Sequence, residues 1–522
     1  MTKITYMKKF CFIVFLLLSG STALLAQSGK SDFKIQTSPL STDPPKSRVN
    51  EVVGYGPDGF YMERDGKKGT VYIEKYDNKT LQMKRQALVS YSFNGKKEES
   101  PTDFLYFNEQ LYAVFHYLSK KEGVMEEYLM KLDNNALSPL GDLIKISSIP
   151  YISAGKSGSI SITTNEAKNV MAVMEMPYES KGDNESFNVK VYDKDLSKLW
   201  EKKVELKYPA KLFGVDSYIV DDHGNLYILG KLYKDKVVDK KDGMPNYSYK
   251  ILVYGADIDA REFTAELDGQ FITNLGLKVA DDGTLVCAGF YSDKSAYSVK
   301  GTFFMSMDPT TGEVKHKGTK AFDTDFLEQF MSEDKAMKQK ELYNYDLDHI
   351  ILRNDGGALL VAEQYYVYVY TTSYTSGGIT YYQTHYKYYY GSIIVVNLNP
   401  DYSIQWAVKI PKNQVTTDDG GYYSSYTYAV TPGKLYFFYN DNAKNLNNTD
   451  PKKIATMRAD KGTVMMAATV SADGKLEKKP LFGSQDIDQI CRPKLGKQVN
   501  DNTVIMLGQQ AKVKMVNRIE IK

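Results

Sequence analysis

A polar turn followed by a dense apolar strand recurs eight times along this chain of 522 residues. The copies begin at residues 59, 110, 169, 225, 284, 358, 434 and 503, and read "GFYMER", "QLYAVFHY", "NVMAVMEM", "NLYILGKLY", "TLVCAGFY", "ALLVAEQYY", "KLYFFYND" and "TVIMLGQ". A second apolar strand follows each copy, and several units add a third. Such regular recurrence predicts a repeat fold.

The turns before these strands explain how each unit folds back on itself. "DDHGN", "ADDGT" and "RNDGG" place Asp, Asn and Gly between two strands. These residues tolerate positive φ and form tight hairpins. Each unit is therefore predicted to be an antiparallel meander of about four strands.

Strands such as "LYILG" and "LVCAG" are apolar on both faces, so both faces of each sheet must be covered. Because few helices are predicted, sheet must stack on sheet. We expect an all-β fold, a β-propeller of about eight four-stranded blades, with seven also compatible. The N-terminal strand in "DFKIQTSPL" is expected to close the last blade. Two packed β-sandwich domains are the alternative.

The first 26 residues have the pattern of a secretory signal peptide. Lys3, Lys8 and Lys9 precede a short apolar run, and "STALLAQ" supplies small residues for cleavage after Ala26. We expect an exported protein, periplasmic or associated with the outer surface, with one propeller domain over residues 27–522. No later apolar run has membrane length.

Charge and cysteine content limit the classes of function. The formal net charge is +2, which gives no basic patch typical of nucleic-acid binding. After removal of the leader, Cys287 and Cys491 remain, so one disulfide is possible but a disulfide-stapled scaffold is not.

Several stretches also resemble known proteins. "DDHGNLYILG" and "ADDGTLVCAG" are similar to the D-x-x-G-N-x-Y-x-x-G strand of secreted bacterial propeller repeats. "YDLDHIILRNDGGALLVAEQYYVY", "YYYGSIIVVNLNPDYSIQWAVKIPKNQ" and "DDGGYYSSYTYAVTPGKLYFFYNDN", within residues 321–445, resemble an exported β-propeller family of Bacteroidota with no assigned activity. The resemblance implies a periplasmic or surface protein and carries over no catalytic residue.

Long insertions are expected on one face of the ring, because second-to-third-strand loops and blade-to-blade loops open on the same side. They occupy residues 234–249, 321–346 (predicted helical), 370–390, 411–425 and 440–461. Residues 365–390 contain eleven tyrosines. Tyrosine is a good strand former, so this tract is predicted to be one long hairpin with its turn at "SGG".

Loops on a rigid scaffold are where ligands usually bind, and tyrosine suits glycans, peptides and proteins. The candidate ligand-binding residues lie in the tyrosine tract, the following insertion and the channel mouth: Tyr374, Tyr381, Tyr382, His385, Tyr388, Tyr389, Tyr422, Tyr423, Asp348, His349, Glu363 and Arg492. Arg492 is expected to begin the innermost strand of the last unit. Packing of the tyrosines on neighbouring insertions is the structural alternative.

No catalytic or metal-binding motif is present, and no cofactor or metal is expected. The sequence therefore favours a secreted, non-catalytic binding or scaffold propeller of the cell envelope, whose partner is an envelope protein or a glycan. The alternative is a glycan-active enzyme using carboxylates and His349 at the channel mouth.

Overall fold

The apolar strand pairs form antiparallel sheets of four or more strands. The computed structural model describes residues 32–42, 47–95, 98–180, 182–258, 260–448, 450, 452–459, 462–487, 489–510 and 513–522. The predicted signal peptide, residues 1–26, lies outside this part of the chain. Within it, eight sheets have four or more strands, and two further sheets have two.

The first four large sheets follow one another along the chain, after β1 (Phe33–Thr37) and β2 (Ser41–Thr42). Sheet 1 contains β3 (Arg48–Gly56), β4 (Gly59–Asp65), β5 (Val71–Tyr76) and β6 (Met83–Leu88). Sheet 2 contains β7 (Asp103–Phe107), β8 (Gln110–Ser119), β9 (Val124–Lys131), β10 (Ile144–Ser153) and β11 (Lys156–Ser157). Sheet 3 contains β12 (Ser159–Thr164), β13 (Met171–Met176), β14 (Asn184–Tyr192) and β15 (Lys198–Pro209). Sheet 4 contains β16 (Phe213–Val220), β17 (Leu226–Tyr233), β20 (Tyr247–Tyr254) and β21 (Arg261–Ala265), with the small ribbon β18 (Lys240–Lys241) and β19 (Met244–Pro245) inserted.

The remaining sheets continue the series. Sheet 5 contains β22 (Phe271–Val279), β23 (Leu285–Ser292), β25 (Gly301–Met307) and β26 (Val314–Ala321), and β24 (Ser298–Val299) pairs with β27 (Leu342–Tyr343). Sheet 6 contains β28 (Tyr345–Leu352), β29 (Ala358–Ser376), β30 (Ile379–Leu398), β31 (Ile404–Ile410) and β32 (Gln414–Thr417). Sheet 7 contains β33 (Thr427–Thr431), β34 (Lys434–Asn442), β35 (Thr463–Ser471) and β36 (Leu476–Gly483). Sheet 8 contains β37 (Ile490–Cys491), β38 (Lys497–Asn500), β39 (Thr503–Gln510) and β40 (Val513–Ile521), together with β1 and β2.

Short helices lie between the sheets. They are α1 (Thr324–Glu328), α2 (Glu333–Gln339) and α3 (Ser484–Ile487), and 3₁₀ turns occur at Lys67–Gly69, Phe93–Gly95, Ala443–Asn445 and Pro493–Leu495. The Asp323 carboxylate accepts a hydrogen bond from the Phe326 amide and so caps α1. Phe326 and Leu327 are buried, so α1 covers sheets 5 and 6. Among the described residues, no helix has the length and apolar character needed to cross a bilayer.

Apolar clusters fill the spaces between successive sheets and run around a closed cycle. Each of the eight clusters formed by described residues joins one sheet to the next. The cycle closes where Phe60 and Met62 of sheet 1 pack with Ile505 and Leu507 of sheet 8. Stacking of sheets in a closed cycle is the architecture of a β-propeller and not of two β-sandwiches.

The position of each strand within its sheet follows from its exposure and packing. First strands of neighbouring sheets pack together, as β3 does on β7 and β22 on β28, so they form the inner side of the closed cycle. Second and third strands are largely buried where they lie within the stacked sheets, and every residue of β23 and β25 is buried. This burial confirms the interpretation of the apolar strands. The outermost strand β26 is exposed throughout, and its lysines oppose edge-to-edge pairing.

The N-terminal strand closes the last sheet, as the sequence predicts. β1 pairs antiparallel with β40, and Phe33 lies opposite Ile521. The buried Phe33 ring lies edge-on to Tyr436 and Phe438 of sheet 7. Because β1 is the first strand described and β40 the last, this pairing closes the series of sheets.

Candidate functional site

The tyrosine tract forms the predicted hairpin. β29 and β30 pair continuously from Ala358 opposite Leu398 to Ser376 opposite Ile379, with a register shift near Tyr365. Gly377 and Gly378 make the turn with φ of 59° and 79°, a conformation that L side chains rarely adopt. Residues 365–390 form the outer part of the hairpin, and Lys387–Tyr390 pair there with β32. We call this extension the tyrosine ribbon.

One face of the tyrosine ribbon is a series of stacked rings. Tyr366 stacks on Tyr389 with centroids 4.4 Å apart, and Tyr374 stacks on Tyr381 at 5.2 Å. Both pairs are directly opposite in the register of the two strands. Cross-strand aromatic pairs stabilise a ribbon by about 0.2–1 kcal/mol each, so the stacking supports the hairpin itself.

His385 connects the tyrosine ribbon to the next insertion, residues 411–425. Its Nδ1 lies 2.6 Å from Asp418 Oδ2, and its Nε2 lies 2.9 Å from the Thr372 hydroxyl. The ring also stacks on Tyr370 at 5.1 Å. Hydrogen bonding to His385 lowers the pKa of Asp418. These contacts orient His385 and fix the ribbon against its neighbour.

Much of the tyrosine ribbon is open to solvent. Tyr382 is 76% exposed and Tyr374 is 58% exposed. Further exposed apolar side chains follow both strands: Tyr366, Val367, Tyr368, Val369, Ile379, Tyr381 and Tyr386. Tyr388 and Tyr389 are half-buried. Tyr374 and Tyr381 lie on the stacked face, whereas Tyr382 and Tyr386 lie on the other, so both faces of the ribbon expose aromatic rings. Exposed aromatic surface is typical of a contact site.

Glu363, at the base of the hairpin, forms a buried ion pair and a hydrogen bond with residues of the following insertion. Lys412 Nζ lies 2.5 Å from Glu363 Oε1, and the Ser425 hydroxyl donates to Glu363 Oε2 at 2.7 Å. Lys412 also donates to the Tyr390 carbonyl oxygen and to Gln414 Oε1. Burial lowers the pKa of Lys412. The pair therefore fixes the 411–425 insertion to the hairpin and leaves little of Glu363 for a ligand.

Asp348 lies on β28, the first strand of sheet 6, and is exposed. Partial desolvation by the surrounding protein raises its pKa to about 7, although the hydrogen bond from Tyr426 acts in the opposite direction. The Tyr426 hydroxyl donates to Asp348 Oδ2 at 2.6 Å. An acid with this pKa is partly protonated near neutral pH.

His349 follows Asp348 and packs on an aromatic ring. Its centroid lies 4.0 Å from that of Tyr428. Burial, with a smaller effect from Lys278, lowers the pKa of His349 to about 4. The imidazole is therefore neutral at pH values well above that pKa.

Tyr422, Tyr423 and Arg492 lie together on the other side of this insertion. The Arg492 guanidinium carbon lies 3.8 Å from the Tyr422 ring centroid, and Tyr422 donates to Gln509 Oε1 at 2.7 Å. Tyr423 packs edge-on against Tyr422, and its carbonyl oxygen accepts from Asn440. These contacts are internal and connect residues 411–425 to sheets 7 and 8.

The expected position of Arg492 needs correction. It does not begin an inner strand but lies between β37 and β38, before the 3₁₀ turn that starts at Pro493. Proline lacks an amide N–H and has a fixed φ, so it interrupts the strand there. Arg492 is buried and donates to the Val49 carbonyl oxygen at 2.7 Å.

The candidate residues thus form two groups. Tyr374, Tyr381, Tyr382, His385, Tyr388 and Tyr389 belong to the tyrosine ribbon; Asp348, His349, Glu363, Tyr422, Tyr423 and Arg492 lie nearer the channel. Tyr390 connects the two groups. Lys494 Nζ lies 3.1 Å from the Tyr390 hydroxyl oxygen, and Lys412 donates to the Tyr390 carbonyl oxygen. Sequence reasoning missed Lys412, Asp418 and Tyr426, whose roles depend on contacts between distant segments.

Carboxylates converge at a second place, where sheets 1 and 2 meet. Single oxygens of Glu51, Glu63 and Asp103 lie within 4.8 Å of one another, a spacing at which they could hold a cation. Burial, with mutual repulsion, raises the pKa of Glu63 to about 7. These residues come from three strands, and no spacing in the sequence connects them.

The two cysteines left after the predicted leader do not form the disulfide that the sequence allowed. Cys287 and Cys491 are both free and buried. Burial raises the pKa of the Cys491 thiol to about 12, and it raises that of Cys287 as well. A thiol so far from ionisation is a poor nucleophile.

No protein-family model and no curated protein sequence matches the chain. Among solved structures, the WD40 domain of SCAP from fission yeast is 10% identical over 94% of this chain and 95% of that chain, with a TM-score of 0.39. The β-propeller domain of the Trilobed protease from Pyrococcus furiosus is 10% identical, with coverage of 83% and 97% and a TM-score of 0.35. A protein of unknown function from Bacteroides caccae is 9% identical, with coverage of 71% and 94% and a TM-score of 0.25. The fold assignment rests on the sheets and clusters of this chain.

Proposed function

We propose that the chain is a secreted, non-catalytic binding propeller of the cell envelope, with its eight large sheets as eight blades. In this proposal the tyrosine ribbon is the principal contact surface, and its partner is an envelope protein or a glycan. The observation that supports the proposal most is the exposed ring series held on a two-stranded ribbon. Tyrosine offers large contact area, and pairing in the ribbon limits the entropy lost on binding.

The strand order of the sheets supports a shared face for the insertions. Residues 234–249, 370–390 and 440–461 connect second to third strands, and residues 321–346 and 411–425 connect successive sheets. In antiparallel meanders these connections emerge at the same end of the strands. We therefore propose that this end of the ring is the ligand-binding face.

The enzyme alternative has weaker support. Asp348, with a pKa of about 7, is suited to general acid chemistry. Glu363, however, is buried with Lys412 and Ser425, so it does not offer a free second carboxylate. His349 packs on Tyr428. This arrangement favours binding over glycoside hydrolysis, which needs two carboxyl groups facing one substrate bond.

The binding proposal is tested by replacing Tyr381, Tyr382, Tyr388 and Tyr389 with Ser in one variant. We expect the variant to fold and to lose partner capture from native envelope extracts, measured by affinity purification and mass spectrometry. The matched control is the double variant Val314→Ser and Met83→Ser. It removes exposed apolar area from β26 and β6, the outer strands of sheets 5 and 1. Equal capture by both variants would reject the tyrosine ribbon as the contact surface.

A glycan array probed with the wild-type protein and the same variants separates the two partner classes. Glycan binding that depends on the four tyrosines identifies a glycan as the partner, whereas capture without glycan binding identifies a protein.

The export proposal has its own measurement. We expect mass spectrometry of the protein from its native host to identify Gln27 as the mature N-terminus. An intact N-terminus at Met1 would reject cleavage of the leader.

A further inference from the structure

One long edge of the tyrosine ribbon has no neighbouring strand. β28 pairs with β29 only as far as Tyr345 opposite Gln364. The Tyr365 amide then donates to the Asn344 carbonyl oxygen at 2.8 Å. Beyond Tyr365, no strand in the described parts of the chain pairs with this side of β29. An open edge therefore runs along β29 to Ser376, at the turn.

The turn determines which backbone groups face the open edge. In a two-residue hairpin the residues that flank the turn exchange hydrogen bonds with each other, and here these are Ser376 and Ile379. Every second residue of β29, counted back from Ser376, therefore bonds to β30, and the residues between them direct their amide and carbonyl groups outward. The Tyr365 amide follows this alternation. The outward residues, all exposed, are Val367, Val369, Thr371, Ser373 and Thr375.

The opposite edge of the tyrosine ribbon is partly covered. β32 pairs with β30 from Lys387 to Tyr390. The Tyr386 amide donates to Asp418 Oδ1 at 2.8 Å, and the Tyr386 carbonyl oxygen accepts from the Asp418 amide at 2.9 Å. A charged side chain at an edge opposes pairing with another strand. The two edges of the ribbon thus differ, and the edge of β29 is the one that stays open from base to tip.

The open edge also lacks the charges that protect an outer strand such as β26. β26 carries Lys315, Lys317 and Lys320, whereas residues 366–376 contain no charged residue and no proline. The tyrosine, valine and threonine residues there are strong strand formers. An exposed, uncharged edge with outward amide and carbonyl groups is a template for pairing with another β-strand.

The edge of β29 matches itself when two copies are placed antiparallel. With Thr371 on a two-fold axis, the five outward residues of one copy lie opposite the same five of the second copy in reverse order. Residues that are opposite in this way exchange both backbone hydrogen bonds. On the other face, Tyr368 of each copy lies opposite Tyr374 of the other, which adds cross-strand aromatic pairs. Because the edge carries no charge, no like charges meet across the axis.

We propose that the open edge of β29 pairs antiparallel with the same edge of a second copy of this chain. The two ribbons then form one four-stranded sheet, which is favourable because an isolated two-stranded hairpin is marginally stable in water. Antiparallel overlap places the stacked sheets of the two copies at opposite ends of this sheet, where they do not collide. Both faces of each ribbon stay open, so the dimer does not depend on the partner proposed above for the tyrosine side chains.

Analytical ultracentrifugation of the purified chain, without added ligand, tests the inference. We expect a concentration-dependent dimer in the micromolar range. One variant replaces Val369, Thr371 and Ser373 with Lys, and a second variant replaces the same three residues with Glu. Each variant places like charges opposite each other across the axis, so each should dimerise about tenfold more weakly than wild type. An equimolar mixture of the two variants should restore the dimer, because every Lys then lies opposite a Glu.

The matched control is the double variant Thr380→Lys and Thr384→Lys. Both residues are exposed and lie on β30, across the ribbon from the open edge, so this variant should dimerise like wild type. Hydrogen exchange needs no substitution: the backbone amides of residues 366–376 should exchange more slowly as the wild-type concentration rises.

The inference is overturned if the wild-type chain stays monomeric throughout the micromolar range, or if it dimerises with unchanged exchange in residues 366–376. It is also overturned if the Lys and Glu variants dimerise as tightly as wild type, or if mixing them does not restore the dimer. Protection of these amides that appears only in native envelope extract would assign the edge to another protein and overturn the second copy as its occupant.

Discussion

Lys412 Nζ lies 2.5 Å from Glu363 Oε1, and neither side chain reaches solvent appreciably. Removing one member of a buried ion pair leaves an uncompensated charge, which typically costs about 3–5 kcal/mol. We expect Lys412→Met to lower the midpoint of urea unfolding strongly, as measured by tyrosine fluorescence and circular dichroism.

The control for this prediction is the exposed pair of Lys198 and Glu201, whose charged atoms lie 2.6 Å apart. Exposed pairs contribute about 0–1 kcal/mol, so Lys198→Met should change the midpoint little. Equal effects of the two substitutions would show that Lys412 is hydrated in solution.

The fold was predictable from the sequence because its main determinants are local. Apolar strands such as β23 indicate that both faces of the sheet are covered, and their regular recurrence along the chain predicts a ring of stacked sheets. The tyrosine ribbon was predictable for the same reason, since "SGG" is flanked by strand-forming residues. Lys412 gave no such signal: it follows an apolar strand as many surface lysines do, and only its partner Glu363, on another strand, explains its burial.

The candidate site was predictable only in part. The exposed tyrosines of the tyrosine ribbon follow from composition and hairpin geometry. The convergence of Glu51, Glu63 and Asp103 depends on how sheets 1 and 2 stack. These residues are distant in sequence, and no pattern in a single sequence indicates that they come into contact.

Glu63 is expected to make stability depend on pH. Burial raises its folded pKa from 4.5 to about 7. Between these values the folded chain holds a proton that the unfolded chain has lost, so this group's contribution to stability falls as pH rises through the window. Glu63→Gln should therefore raise the melting temperature relative to wild type above about pH 7, by an amount equivalent to at most about 3 kcal/mol.

Below pH 4.5 both folded and unfolded wild-type chains are protonated at this position, so the gain from Glu63→Gln should vanish. Differential scanning fluorimetry across this range measures the difference. Glu122→Gln, at an exposed turn, controls for the general loss of negative charge. A gain that is constant with pH would contradict the assigned pKa.

Closure of the ring by β1 predicts a large effect from a residue near the start of the described chain. Phe33 is buried against Tyr436 and Phe438. Phe33→Ala should destabilise the fold by about 3–5 kcal/mol through lost burial and the remaining void. Leu40→Ala, at a position that is 54% exposed, should have little effect. Thermal unfolding measures both, and equal melting temperatures for both variants would show that β1 does not close the ring in solution.

The tip of the tyrosine ribbon should be stabilised locally and independently of the ring. Tyr374 stacks on Tyr381 at 5.2 Å, and both rings are exposed. Replacing both with Ser removes a cross-strand pair worth about 0.2–1 kcal/mol. Limited proteolysis should cut the variant faster within residues 370–386, while its melting temperature stays that of wild type. Ser373→Ala, which leaves the stacked face intact, should keep wild-type cleavage. A substantial drop in melting temperature would show instead that the tip supports the whole ring.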